Sequence, residues 1–389
     1  VMQPHVPDLH LPRNLVRGLG AVAALGGLAF LAGLFVAPQR AWAGYLMAFV
    51  FFVGLGLAGG LFISVLTLAG SRWATALRRI PEAMTTTLPV AALLGLALIG
   101  GVHSLYEWSH ASVVAEDHLI AGKSAYLNWG FFLLRMVAFF AVWIWLTRGM
   151  VRASRQQDLD GTGRWRLLLR AVYFLPLFAI TFSLASFDWI MSIEAHWFST
   201  IFGLITLSGL GTSGLAVCIL LAVHLKRGPL RGVITAEHLD DLGKIGIGFA
   251  LFWGYIWYCQ YMLIWYTDIP EETPYYVIRD LGAWKYVSWT NVTLNWGVPF
   301  FALMPKAMRR SETALVRIAW VFLVGQAVNL YMLVEPALMT EGPQLGLWEL
   351  GPLVGAGCLF LLLTLRALGQ AKLVPVGDAG LEASLRHHC

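Results

Sequence analysis

Apolar stretches long enough to cross a bilayer recur along the whole chain, and this limits its fold more than any other feature. At about 1.5 Å of rise per residue, roughly 20 helical residues cross a hydrocarbon layer of roughly 30 Å. Such stretches give about ten spans, at 15–36, 43–70, 85–103, 127–147, 167–187, 197–224, 243–267, 286–305, 313–334 and 348–369, with a tail over 370–389. In lipid every backbone polar group must be satisfied inside its own segment or barrel, so helices follow. The expected class is an all-α polytopic membrane protein forming a single integral membrane domain. Composition agrees: with 58% hydrophobic and 13% charged residues, a soluble domain would expose far more apolar surface than it could bury. A nucleic-acid partner is excluded on the same ground, and the bilayer itself, with bound phospholipids, is the expected surrounding. Ala41-Trp42-Ala43 resembles a small-residue cleavage site. The apolar run before it is too long for a signal peptide, so it counts as the first helix.

The formal charge of +5 is a topology signal. Of the 27 Lys and Arg residues, Arg40, Lys123, Arg279 and Lys285 fall on one set of loops, and Arg135 falls inside the fourth span. All the others fall on the opposite side, together with both chain ends. By the positive-inside rule that side is cytoplasmic. The acid-rich, lysine-poor loops then face outward.

No haem-ligating histidine pair lies inside a span, and the four cysteines, Cys218, Cys259, Cys358 and Cys389, form no CxxC or CxxCH motif. The chain is expected to bind no metal and no covalent cofactor, with the cysteines as small apolar fillers and a tail thiol. Chemistry must come from ionisable and aromatic groups. Arg135, about eight residues or roughly 12 Å into its span, must find an acid, with Glu107 and Asp188 as candidates. FDWIMSIEAHWFSTIFG, Phe187 to Gly203, sets Asp188, Glu194 and His196 among aromatics at the outer face. HSLYEW adds His103, Tyr106 and Glu107 at that face. Quinol oxidation needs a proton acceptor beside an apolar slot, and these residues offer one; ordinary loop solvation and belt anchoring explain them equally. Tyr258 and Gln260 lie in an aromatic seventh span, a candidate wall for a flat lipid-soluble ligand, with Pro270 and Pro274 expected to stop that helix. Asn291, Asn295, Gln326 and Asn329 read as packing groups between helices. On the cytoplasmic side His238, Asp240 and Asp241 are candidates for proton entry.

At these residues a resemblance emerges. FDWIMSIEAHWFSTIFG, the seventh span running into IPEETPYY, HSLYEW followed by GKSAYLN, HLDDLGK, LNWGVPFFALMP, GLWELG and PVGDAGLEASLRHH resemble the smaller polysulfide-reductase-like (NrfD-like) membrane subunit of bacterial alternative complex III. The strings follow one another in order along nearly the whole chain. The resemblance implies two four-helix bundles with peripheral helices, inside a quinol:electron-acceptor (cytochrome c type) oxidoreductase of the bacterial cytoplasmic membrane. It also implies partners: a sister NrfD-like membrane subunit, an iron–sulfur subunit, multihaem and monohaem cytochrome c subunits and small membrane subunits. Haem c and iron–sulfur clusters would sit in those partners, and the quinone would be menaquinone or ubiquinone. In such complexes the sister subunit is the better-supported quinol site, and the present type serves as a proton conduit or second quinone pocket. One departure stands out. Where a basic–aromatic–acidic set is expected after Gly325, this chain has Gln326, Ala327 and Asn329, none of which titrates, so a charge-based proton path there is not expected. Two other classes compete: a redox-silent structural subunit, and a secondary transporter, for which no matched pair of broken helices is found.

Overall fold

The computed structural model describes residues 9, 11–339 and 341–387, so the expected tail thiol Cys389 lies outside the described residues. Among these the chain is helical, without strands beyond one isolated bridge between Arg231 and Ile234. Among the described residues nine helices are long and apolar enough to cross a membrane. They are α1 Arg13–Val36, α2 Pro38–Leu68, α3 Arg79–Leu105, α4 Trp129–Asp160, α5 Arg164–Ile193, α6 Phe202–Arg227, α7 Ala236–Thr267, α9 Glu312–Leu338 and α10 Leu347–Leu368. The remaining expected span is present in three pieces and is called α8 here. Trp284–Val292 is α-helical, Thr293–Gly297 makes a π turn, and Val298–Leu303 resumes the α-helix.

Several boundaries differ from those read in the sequence. α4 runs on to Asp160 and stops where Gly161 takes a left-handed conformation at φ 70°, a position glycine fills without a Cβ clash. α7 starts at Ala236, earlier than expected, because Thr235 and His238 form a reciprocal cap. α6 starts at Phe202 instead of 197, leaving His196 outside any helix. The prolines after α7 act differently from expectation. α7 ends at Thr267, with Asp268 left-handed at φ 48°, and Pro274 opens a short helix, Pro274–Asp280, in place of ending one.

Packing follows sequence neighbourhood. α2 to α5 form one four-helix bundle and α6 to α9 a second, with α2 and α6 meeting between them. α1 and α10 pack on each other and on α2 at the periphery. The interior helix of the first bundle is α2, 94% buried over its apolar window, whereas α1 is 17% buried. Small residues allow this closeness. A Cβ on Gly26 would lie 2.6 Å from the Gly351 carbonyl and the Gly355 Cα, so α1 and α10 touch backbone to backbone there. Cys218 is buried, while Cys259 and Cys358 are half-buried, consistent with their reading as fillers.

One end of the molecule gathers Leu9, the 2–3 and 6–7 connections and the tail. A short tail helix, Gly380–Leu385, docks on Trp73–Leu77, where Ser384 Oγ donates to the Trp73 carbonyl at 2.5 Å and accepts from the Ala76 N–H at 3.2 Å. Arg78 binds Asp378, and Arg79 pairs with both Glu82 and Asp158. We call this the terminal end and the opposite one the distal end.

Candidate functional site

At the distal end Arg135 finds its acid. Asn128 caps α4 by accepting from the Phe131 N–H at 2.9 Å, which sets Arg135 nearly two turns inside, facing the last turn of α5. Its Nε and Nη2 donate to Asp188 Oδ2 and Oδ1 at 2.7 and 2.9 Å, and Nη1 donates to the Tyr126 carbonyl at 2.9 Å. The rings of Tyr126 and Phe131 cover the guanidinium at 3.8 and 4.3 Å. Arg135 and Asp188 are both buried. Such a bidentate fork satisfies two buried charges at once and leaves Asp188 without an oxygen free to act as a base.

The other distal candidates do not converge. Glu194 turns to Arg279, whose Nη2 and Nη1 lie 2.8 and 3.3 Å from its two oxygens. His196 is exposed and pairs with Asp117 at 2.6 Å. That ring, with the backbone N–H groups of Ile120 and Leu119, holds the Asp117 carboxyl below the usual carboxylate range. Glu107 is exposed, and His103, also exposed, bonds Ser109 Oγ at 2.9 Å. Tyr106 is a core residue, donating to the Trp189 carbonyl at 2.8 Å. Of the two readings the sequence left open, a shared acid-and-imidazole pocket is not formed among the described residues. Asp188, Glu194 and His196 are each drawn to a different counter-charge.

Tyr258 and Gln260 do line a cavity. A cleft of about 1080 Å³ opens beside α7 and is walled by the Pro274–Asp280 helix, α8 and α9. On α7 the rings of Trp253, Trp257 and Tyr261 recur every fourth residue and stack with interplanar angles of 12° and 2°. Tyr258 is exposed on the same helix. Gln260 is 2% exposed; its carbonyl accepts from the Tyr276 hydroxyl at 3.2 Å, while its Nε2 has no partner. Opposite it runs a chain of amides. Asn329 Nδ2 donates to Gln326, Asn291 Nδ2 to Asn329 at 3.4 Å, and Asn295 Nδ2 to Asn291 Oδ1 at 2.7 Å and the Gly325 carbonyl at 2.8 Å. The π turn of α8 brings Asn295 onto α9 at this point, the kind of interruption often found at functional sites. An aromatic slot with one unsatisfied donor suits a flat, apolar ligand carrying a hydrogen-bond acceptor.

Sequence reasoning used Arg279 only as a topology exception, yet it stitches this wall together. Pro336 lacks an N–H, so the Met332 carbonyl one turn earlier loses its helical donor. Arg279 Nε supplies one at 3.0 Å, while its Nη1 donates to the Tyr275 carbonyl at 2.8 Å and its guanidinium lies over the Tyr275 ring at 3.5 Å. The available signal was a proline within an apolar run facing one of the few cations on the acidic side.

At the terminal end the three proton-entry candidates serve as tethers. His238 Nε2 meets Ser384 Oγ at 3.1 Å, and Asp240 lies between Arg309 at 2.8 Å and Lys244 at 3.0 Å. Asp241 binds Lys244 at 2.8 Å and His387 at 2.7 Å. His238 and Asp240 are fully buried under the docked tail, a poor arrangement for collecting protons from water. Among the described residues no three His, Cys, Asp or Glu side chains gather to hold a metal ion. Comparison with protein-family profiles and with curated proteins finds no match.

Proposed function

We propose that this chain is an integral membrane subunit of a quinol:electron-acceptor oxidoreductase of the alternative complex III type, and that the α7–α9 cleft is its quinone-binding site. The observation that carries the reading is Gln260: a buried amide with an unpartnered N–H, set in an aromatic cleft of a size that holds a small-molecule ligand. Menaquinone and ubiquinone both offer a flat ring, a carbonyl acceptor and an isoprenoid tail, which the exposed rings of Tyr258, Trp265 and Trp289 would flank toward lipid. Gln260 would hold the carbonyl and the α7 rings the face of the headgroup. Electrons would pass to haem c and iron–sulfur clusters in partner subunits. The uneven distribution of Lys and Arg supports a bacterial cytoplasmic membrane location with the terminal end inside.

Photolabelling with an azidoquinone in the intact complex tests this. Labelled peptides should fall in α7 and α8 and disappear under excess unlabelled quinone. In the purified chain, Gln260→Leu should weaken quinone binding about tenfold, the loss of one hydrogen bond of about 1–1.5 kcal/mol. Label confined to the sister subunit would reject the site and leave the redox-silent scaffold as the better account.

A further inference from the structure

Glu335, in the last turns of α9, is completely buried, and neither of its carboxyl oxygens has a hydrogen-bond partner. The charged groups whose fields reach it are Glu349, in the first turn of α10, and Arg40, in the first turn of α2. These two are already committed to each other: Arg40 Nε and Nη2 donate to Glu349 Oε1 and Oε2 at 2.8 and 3.0 Å, and the Gly346 N–H donates to Oε2 at 2.7 Å. From its own helix, Tyr331 stands one turn earlier with its ring against Trp284, 5.5 Å away. One guanidinium therefore faces two acids and forks onto only one. An ionised carboxylate buried without a donor is far more costly than the neutral acid, and a membrane protein keeps such a group where it has a role.

We propose that Glu335 is a proton-binding site, resting as a neutral carboxylic acid and exchanging its proton with water at the distal end through the Glu349–Arg40 pair. The Arg40 side chain is 25% exposed and Glu349 1%, so the pair bridges surface and interior. No hydrogen bond joins Glu335 to Glu349, so the exchange needs a bridging water: the O–H bond of Glu335 breaks as one forms on that water, the water passes a proton to a Glu349 oxygen as Arg40 loosens from it, and bulk water then takes the proton up. One proton moves and no electron does. Because Glu335 lies outside the cleft lining, the inference does not rest on the quinone reading.

Infrared spectra of the full chain in lipid nanodiscs, in light and heavy water, test it. At neutral pH the wild-type protein should show a neutral carboxylic-acid carbonyl band that shifts on deuteration and is lost in Glu335→Gln. Should that variant not fold, Glu335→Asp, which keeps an acid, should move the band to a new position. A difference spectrum containing only ionised-carboxylate bands would overturn the site. Deuteration of the band should slow in Arg40→Gln and Glu349→Gln, and an unchanged rate in both would overturn the proposed route.

Discussion

Two places at the distal end answer the cost of polar groups in lipid in opposite ways. Between α4 and α5, Arg135 and Asp188 close on each other, so the one cation inside an apolar span ends in a bidentate fork with a buried acid. Beside α7 the cleft is walled mainly by amides and rings, and the buried Gln260 Nε2 is left without a partner. The difference teaches that charge marks where the fold is pinned, while the unspent hydrogen bond marks where a ligand fits. Ionised groups buried in a membrane bundle must be paired for the bundle to exist. An unpaired amide costs less and can wait for its acceptor.

The comparison breaks most visibly at Asp188. Replacing it with Asn leaves Arg135 buried beside a neutral group, and stability should fall by about 3–5 kcal/mol, read as a lower unfolding midpoint of the protein in nanodiscs. The double variant Arg135→Leu with Asp188→Leu should recover most of that loss. Quinone binding by the correctly folded fraction should not change. A single variant as stable as wild type would mean that the pair pins nothing.

A smaller effect is expected on the cleft side. Asn295→Leu removes the amide that ties the π turn of α8 to the Gly325 carbonyl, and interhelical side-chain hydrogen bonds in membranes contribute only about 0.6 kcal/mol on average. Unfolding should therefore shift little, by up to about 1.7 kcal/mol. Cleft affinity for quinone should fall in the same variant, since the wall facing Gln260 loses its anchor. Intact affinity would show that the π turn is a packing feature with no part in the cleft.

What the sequence disclosed follows the same division. The all-helical membrane class and most of the spans were legible because a hydrocarbon layer imposes one length and one composition on each. Arg135 announced itself, being a cation inside an apolar run with Asp188 near the same face at the end of the next span. The break in α8 was not legible: a π turn comes from one residue too many in a helix, and LNWGVPFF keeps its apolar character through it. The sixth span was begun too early, at 197, because Trp197 and Phe198 continue the apolar pattern, although the backbone is irregular until Phe202. The ninth span was ended at 334, leaving Glu335 just outside it, whereas α9 continues through Pro336 to Leu338, with Arg279 taking up the carbonyl the proline frees. Contacts supplied by distant segments leave no periodic trace, and the Arg279–Glu194 tie between the two bundles is of that kind.

The faintest contrast lies at the exposed tie between Asp117 and His196, where the 3–4 connection meets the 5–6 connection. Asp117 is bound by the His196 ring and by backbone N–H groups, and its carboxyl is held below the ordinary carboxylate range in the folded chain. A folded-state depression of this kind adds stability fully above the unfolded carboxylate range and loses it as pH falls through the lower folded value. Acidification through that lower folded value should therefore free this connection, and Asp117→Asn should abolish the acid-side step without lowering the midpoint at neutral pH appreciably. Hydrogen exchange at the Leu119 and Ile120 amides, followed across the acid range, measures it. Protection there that ignores pH, or that survives in Asp117→Asn, would place the tie among packing contacts and remove a distal charge pair whose strength solvent can tune.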